Sequence, residues 1–325
     1  METTILAIGD PHFTASNAKE TEYLTDEIGR ILDENQIEHV IILGDTLDRH
    51  ETVNTNVLFR VKLLFDLILS KSKQLYVLIG NHDIPNNKIY MSEVHPFMHW
   101  DTPELHIVNK TSMFTISGMD FLMVPYVPPG KFAKAIEGFP TPRCIFAHQE
   151  FKGCKMGSIV SEDGDPLPDI DIISGHIHDR QRIGKLYYPG TPYQTNMGES
   201  TDKGVSIFKF NENRIDEIRL PLNIPKKITL DITASQLLSW VSPDSFNRYR
   251  LTVHGSNTEF LTLSKSGIIS DLTKKGVKIT YKEIKQHVGK IERREKLNFM
   301  DVFMKKIYEN DMKDEMLKII QEIYK

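Results

Sequence analysis

The stretch DIISGHIHDR, residues 171–180, decides how this chain is read. A short run of strand-forming residues stops at a glycine, followed by two histidines one residue apart. Imidazoles at i and i+2 of a strand point the same way, and just past a strand end they can still converge on one point. A lone H-x-H is equally a solvated loop, so its meaning rests on whether other strands end alike. They do. TTILAIGDPHF (3–13) ends in Asp10 and His12, and HVIILGDTLDRH (39–50) in Asp45 and Asp48. QLYVLIGNHD (74–83) ends in Asn81, His82 and Asp83, PRCIFAHQE (142–150) reaches His148, and the opening stretch supplies His176 and His178.

Between these strands lie helical patterns. Residues 18–34 space Leu24, Ile28, Ile31 and Leu32 along one face, and residues 54–70 do the same with Val57, Leu58, Val61, Leu64, Phe65 and Ile68. Strands that are apolar throughout belong to sheets buried on both faces and covered by helices, so the fold class is α/β. In such sheets the carboxyl ends of the strands share an edge where binding crevices form. Five strand ends would then deliver carboxylates, a carboxamide and imidazoles to one place.

GKLYYPG and GVSIFKF read as a hairpin pair, and RLPLNIPKK (219–227), with two prolines, as a domain boundary. The expected organisation is a catalytic domain over 1–223, a small α/β domain over 224–282, and a linker with terminal helices over 283–325. The small domain should hold ITLDI, a short helix from Ala234 to Trp240, RYRLTVHG, a helix around 257–275 and GVKITY. The terminal helices place Met300, Phe303 and Ile307 on one apolar face and Met316 and Ile320 on another.

The chain has 325 residues, 40% of them hydrophobic and 26% charged, an ordinary soluble composition. Two cysteines, Cys144 and Cys154, are too few for a disulfide framework and lack zinc-ligand spacing, which points to a reducing compartment. No signal peptide or membrane span is read, so a cytoplasmic location is expected, in a host cell if the protein is viral. The net charge of −4 is uneven: residues 224–325 carry 19 Lys and Arg against 13 Asp and Glu, a net +6, leaving −10 for the first 223 residues. An acidic front half suits metal binding and a basic back half a polyanion, although ordinary surface composition can look the same.

Carboxylate, carboxamide and imidazole donors without thiolate suit manganese, iron or zinc. A carboxylate can bridge two such ions about 3.5–4 Å apart, an arrangement made for phosphoryl transfer. With these residues in hand, residues 1–200 resemble the calcineurin-like metallophosphoesterase superfamily, whose pattern runs D-x-H, GDxxD, GNH, H and GHxH. The resemblance implies a four-layer sandwich with two sheets between helices, and two divalent ions, Mn²⁺ by expectation, with Mg²⁺, Fe²⁺ or Zn²⁺ as substitutes. It implies that Asp10, His12, Asp45 and His178 hold one ion, that Asp45 (bridging), Asn81, His148 and His176 hold the other, and that His82 assists catalysis.

Within the superfamily the chain is similar to the SbcD-type (meiotic recombination eleven) nucleases of double-strand-break repair, in their compact phage form. The likeness rests on GNHD in place of the phosphatases' GNHE, on YYPGTPYQTNMGES…KGV (187–205), and on the basic domain and helical pair that follow. It implies a double-strand 3′→5′ exonuclease and single-strand endonuclease, DNA as substrate, a homodimer, and docking of the terminal helices on an SbcC-type coiled-coil ABC ATPase. Arg180, Arg182, Lys203, Arg248 and Arg250 would contact the DNA backbone, and Met300, Phe303, Ile307, Met316 and Ile320 the partner. Asp48 is not one of the usual ligands, and His50 reads as a solvated loop histidine. Two other functions fit parts of the pattern: a protein phosphatase or small-molecule phosphodiesterase, which leaves the basic tail unexplained, and a non-catalytic DNA-binding or scaffold subunit.

Overall fold

The computed structural model describes residues 2–50, 52–157 and 159–284, with four single positions beyond (Lys306, Asp314, Glu315 and Lys318). The terminal-helix residues Met300, Phe303, Ile307, Met316 and Ile320, and the ATPase docking expected of them, lie outside the described residues.

Strand β1 (Thr3–Ile8) leads into helix α1 (Ala18–Glu34), then β2 (His39–Ile42), α2 (Thr55–Lys71) and β3 (Gln74–Leu78). Asn54 starts α2 by accepting from the backbone N–H groups of Asn56 and Val57, satisfying donors that a helix start leaves free. Residues 105–124 add β4 (Leu105–Val108), β5 (Ser112–Ile116) and β6 (Met119–Val124), which carry no site residue and which the motifs do not mark. Then follow α3 (Phe132–Ile136), β7 (Cys144–His148), the short β8 (Lys155–Met156) and β9 (Ile159–Val160), β10 (Ile172–Gly175), β11 (Gln181–Ile183), β12 (Leu186–Tyr188), β13 (Gly204–Phe210) and β14 (Ile215–Pro221). The small sheet is built from β15 (Lys227–Thr233), α4 (Ala234–Leu237), β16 (Arg248–Gly255), α5 (Asn257–Lys265), α6 (Ile268–Lys274) and β17 (Lys278–Glu283).

Two six-stranded sheets, ordered β14-β13-β1-β2-β3-β4 and β11-β12-β10-β7-β6-β5, stack face to face. Alternation along each strand explains why the site strands are apolar throughout. Leu6 and Ile8 of β1, Val40 and Ile42 of β2, and Leu75 and Val77 of β3 pack under α1 and α2. Their neighbours Ile5, Ala7, Ile41, Tyr76 and Leu78 meet Phe121, Met123, Phe146 and Ile173 of the other sheet. The far face of that sheet, with Leu122, Val124, Ile145 and Ala147, is covered by Phe132 of α3 and by Phe151. The fold is therefore α/β with two sheets flanked by helices, and the five site strands divide three to one sheet and two to the other. Among the described residues no helix is long and apolar enough to cross a membrane.

Three expectations are corrected. The strands of GKLYYPG and GVSIFKF are not a hairpin: β12 pairs with β10 and β11, whereas β13 pairs with β1 and β14 in the opposite sheet. Tyr187 and Phe208 instead face each other across the sandwich, with ring centroids 5.8 Å apart. The helix expected around 257–275 is two, because Gly267 takes a left-handed φ of 78° between α5 and α6. The helix expected to reach Trp240 ends at Leu237, started by a Thr233–Gln236 capping box.

In the small sheet β16 lies between β15 and β17, all parallel. Tyr249, Leu251 and Val253 pack into a separate core with Leu237, Leu263 and Leu272. The alternate residues of β16, beginning with Arg248 and Arg250, take the other face, where Arg248 registers with Lys227 and Arg250 with Lys278.

Candidate metal centre

The loops after β1, β2, β3, β7 and β10 meet at one edge of the sandwich, and the seven residues expected as ligands are among those that meet. Backbone geometry makes this convergence possible. His12, Asp45 and His176 hold left-handed φ angles of 45°, 46° and 78°, a region that residues with a Cβ enter rarely and that clusters at functional sites. Gly175 has no room for a side chain, since a Cβ there would sit 2.5 Å from Asp10 Oδ1 and 3.0 Å from His148 Nδ1. Gly44, at φ 102°, is pressed against the His148 ring in the same way.

Three donor groups form among the described residues. Asp10, His12 and His178 make the first, and Asp45, His148 and His176 the second. His12, Asp48 and His82 make a third that shares His12 with the first, with ligand atoms in each group within 4.8 Å of one another. Asn81 Oδ1 closes the second group, 3.0 Å from His148 Nε2 and 2.9 Å from His176 Nδ1. Asp45 stands between the first two groups: Oδ1 is 3.3 Å from His148 Nε2 and Oδ2 is 3.9 Å from His12 Nε2.

These residues fit metal ions on the chemistry of the donor set. His148 Nδ1–H donates to the Leu43 carbonyl at 2.7 Å, which turns Nε2 toward Asn81 Oδ1 and Asp45 Oδ1, both acceptors. His12 Nε2 and His178 Nε2 likewise face each other at 3.0 Å. These nitrogen and oxygen atoms converge closely enough for one cation to be held by several of them at once. The electrostatics agree. Burial holds His12 and His176 down at about 3, so both imidazoles are neutral and able to coordinate. His148 differs: burial opposes its charge too, but Asp45 and Asp10 outweigh it and raise the ring to about 9. Its Nε2–H therefore donates to Asn81 Oδ1 and Asp45 Oδ1 until an ion takes the place of the proton. Asp45 is held well below the usual carboxylate range against the pull of burial, chiefly by His148, whereas burial raises Asp10.

His82 stands beside the first two groups and belongs to the third. Its backbone N–H donates to Asp45 Oδ1 at 2.8 Å, and its Nδ1–H donates to the Asp48 carbonyl at 2.7 Å, leaving Nε2 free to face the site. Asp48 also brings its carboxylate to 3.5 Å from His12 Nδ1, an atom with no other partner. His50 is not a solvated loop residue. Its ring stacks on that of His82 with centroids 4.6 Å apart and planes at 21°, and its Nδ1 bonds the Ile84 carbonyl at 3.1 Å.

Other residues, expected neither as ligands nor as catalytic groups, support the loops. Asp83 is buried and accepts from Leu47 N–H and Gly80 N–H, both at 2.9 Å, tying the Asp45 loop to the Asn81 loop. Burial, with Asp45 nearby, raises its carboxyl to about 7. Asn17 Nδ2 donates to the His12 carbonyl at 2.7 Å, and Tyr193 O–H donates to the Pro11 carbonyl. Glu150 lies 4.0 Å from His176 Nε2. The sequence signal for Asp83 and Glu150 was their adjacency to GNH and to His148.

From His12 and Asp48 a cleft of about 650 Å³ runs to the small sheet, lined by Lys19, Lys227, Arg248, Arg250, Lys275 and Lys278. Arg248 and Arg250 thus line this cleft, although Arg248 also bonds the buried Glu20 at 3.0 Å. Arg180 and Arg182 are exposed but line no part of this cleft: Arg180 pairs with Glu217 at 2.9 Å, and Arg182 lies 4.4 Å from the Tyr187 ring centroid. Lys203 is a correction. Its ammonium is buried, bonded to the His178 carbonyl at 2.8 Å and flanked by Asp179 and Glu199, so it braces the His178 loop and offers no charge to DNA.

A helix-flanked double sheet thus gathers Asp/His donor clusters at its edge. Residues 3–180 match the family model for calcineurin-like phosphoesterases, and the chain belongs to that family, whose members use divalent metals. Two viral proteins are similar over most of their length. "Putative phosphoesterase 244L" of Invertebrate iridescent virus 6 is 36% identical over 82% of this chain and 98% of its own. "Putative phosphoesterase 078R" of Invertebrate iridescent virus 3 is 33% identical over 86% and 84%. A hypothetical protein from Thermus thermophilus aligns with 68% of this chain and all of its own at a TM-score of 0.38 and 12% identity.

Proposed function

We propose that the protein is a DNA nuclease of the SbcD type, hydrolysing phosphodiesters at a site loaded with two divalent ions, Mn²⁺ the expected pair. The observation that carries this reading is the cationic cleft that opens at His12 and Asp48 and runs beneath the small sheet. A nucleic-acid backbone needs such a track of Lys and Arg beyond the scissile phosphate, and contacts of this kind give affinity without sequence preference. A phosphopeptide or small diester does not need it.

In this reading Asp10, His12, Asp45 and His178 hold one ion, and Asp45, Asn81, His148 and His176 the other. Bound there, the pair would supply charge neutralisation at the phosphodiester oxygens and activation of the attacking water. His82 belongs to neither set. With Nδ1 committed to the Asp48 carbonyl, its Nε2–H in the imidazolium form is the group placed to protonate the leaving oxygen. Arg250, Lys275 and Lys278 would grip phosphates away from the cut, and the 3′→5′ polarity, the homodimer and the SbcC-type ATPase belong to the same reading.

The test is direct. Metal-stripped protein receives Mn²⁺ and is offered end-labelled duplex DNA, single-stranded DNA and a phosphopeptide in parallel. Cutting of DNA that chelator abolishes is the expected result. Turnover of the phosphopeptide alone would transfer the chain to the phosphatases, and full activity without metal would overturn the metal assignment.

A further inference from the structure

We propose that His50 is a positioning residue for His82, holding the imidazole in the one orientation from which its Nε2 can protonate a leaving oxygen. The inference rests on the reading of His82 as the acid of phosphodiester hydrolysis. Three contacts restrict the His82 ring. Its Nδ1–H bonds the Asp48 carbonyl at 2.7 Å, the His12 ring meets it edge-on at a centroid distance of 5.1 Å, and the His50 ring lies flat on it at 4.6 Å. The first fixes one atom and the second touches an edge. The flat stack opposes rotation of the ring plane about the Nδ1 contact over the whole face of the ring.

His50 is itself anchored where it can do this. Its Nδ1–H donates to the carbonyl of Ile84, just beyond the Asn81–Asp83 turn, so the loop after β2 and the loop after β3 are clasped together at the catalytic imidazole. About a third of the His82 side chain is exposed, so no packed core would hold the ring if the stack were lost. When the P–O bond breaks, the leaving oxygen keeps the electron pair and takes the proton from Nε2. A ring free to turn delivers that proton less often, and the defect grows with the basicity of the leaving group.

The experiment uses the full chain loaded with Mn²⁺ and two diesters of thymidine 5′-phosphate. One has p-nitrophenolate as its leaving group, which departs without a proton, and the other the 3′-linked dinucleotide, whose alkoxide needs one. His50→Ala should lower kcat on the dinucleotide about tenfold, the upper range for the loss of one aromatic contact. It should leave KM, metal content and turnover of the nitrophenyl ester near the parent values. His50→Phe, which keeps a flat ring but gives up the bond to the Ile84 carbonyl, should restore part of the dinucleotide rate. Equal losses on both diesters, loss of metal in His50→Ala, or a His50→Phe rate no higher than that of His50→Ala would each overturn the proposal. His82→Ala is run alongside. If it shows no preference between the diesters, the acid role of His82 is wrong; if it shows one that His50→Ala lacks, only the positioning role is wrong.

Discussion

Adding a single methyl group at Gly175 should disable the site while leaving the fold standing. A Cβ there would lie 2.5 Å from both Asp10 Oδ1 and the Leu43 carbonyl and 3.0 Å from His148 Nδ1, against 3.4–4 Å for ordinary contact. The first two must therefore give way by about 0.9 Å, though the one is a buried carboxylate held by the His176 N–H and the other is backbone. Asp10 is a ligand candidate, and it also accepts the His176 N–H at 2.9 Å; the Leu43 carbonyl sets the tautomer of His148. One methyl group thus disturbs donors of the first two clusters. Misplacement of catalytic groups by about 1 Å costs about 10²-fold in rate, and overpacking costs about 1–3 kcal/mol of stability.

Gly175→Ala should accordingly lose about 10²-fold in kcat/KM on an activated phosphodiester, about 2.7 kcal/mol of transition-state stabilisation, and bind less than its full complement of Mn²⁺. Gly29→Ala in α1 is the matched control. Its nearest neighbour is the flexible end of Leu67 at 3.2 Å, and alanine favours the helix. Steady-state kinetics, metal analysis after gel filtration and a thermal melt read the outcome. If folded Gly175→Ala keeps its metals and stays within threefold of the parent rate, the crowding argument fails.

His82→Ala should lose about 10²–10⁴-fold in kcat while retaining two metals, and loss of metal would show it to be a ligand. Lys203→Met should leave the His178 carbonyl and Glu199 without their buried partner, lowering stability by about 1–3 kcal/mol, and an unchanged melting temperature would refute the bracing role. Arg250→Ala should weaken duplex DNA binding whatever the sequence and reduce the slope of log K against log salt by about 1; an unchanged slope would place that guanidinium off the DNA.

The cluster of site residues was legible because each must be one of few residue types and each follows a strand that is apolar on both faces. The glycines in GD, GD, GN and GH carry the same information, since the loops approach too closely for side chains. What was not legible depends on pairings that distance in the chain conceals. Apolar alternation shows that β12 and β13 are strands but not that they belong to opposite sheets. Lys203 is written like any surface lysine, and only the fold buries it between the His178 carbonyl and two carboxylates. His50 finds its partner across the Ile84 turn, which no periodicity records. The helix around Gly267 breaks because of one left-handed residue within an otherwise helical pattern.

The division of labour in the fold follows from these costs. Left-handed backbone at His12, Asp45 and His176 costs about 1–3 kcal/mol per residue, and Asp10 and Asp45 are both buried beside one another's charge. Hydrogen bonds within the loops, such as those from the Leu47 and Gly80 N–H groups to Asp83 and from the His82 N–H to Asp45, offset some of that. The rest of the stabilisation comes from the sandwich behind them, where Ile5, Ile41, Leu78, Phe121, Phe146 and Ile173 close the space between the sheets. Ions bound between the clusters would remove the remaining conflict, and a ligand that binds only the folded state stabilises it. Saturating Mn²⁺ should therefore raise the melting temperature of the chelator-treated protein. Asp45→Asn, which keeps the shape but weakens the first two donor groups, should lose most of that rise. A melting temperature indifferent to the ion would mean that the clusters are satisfied by protons alone.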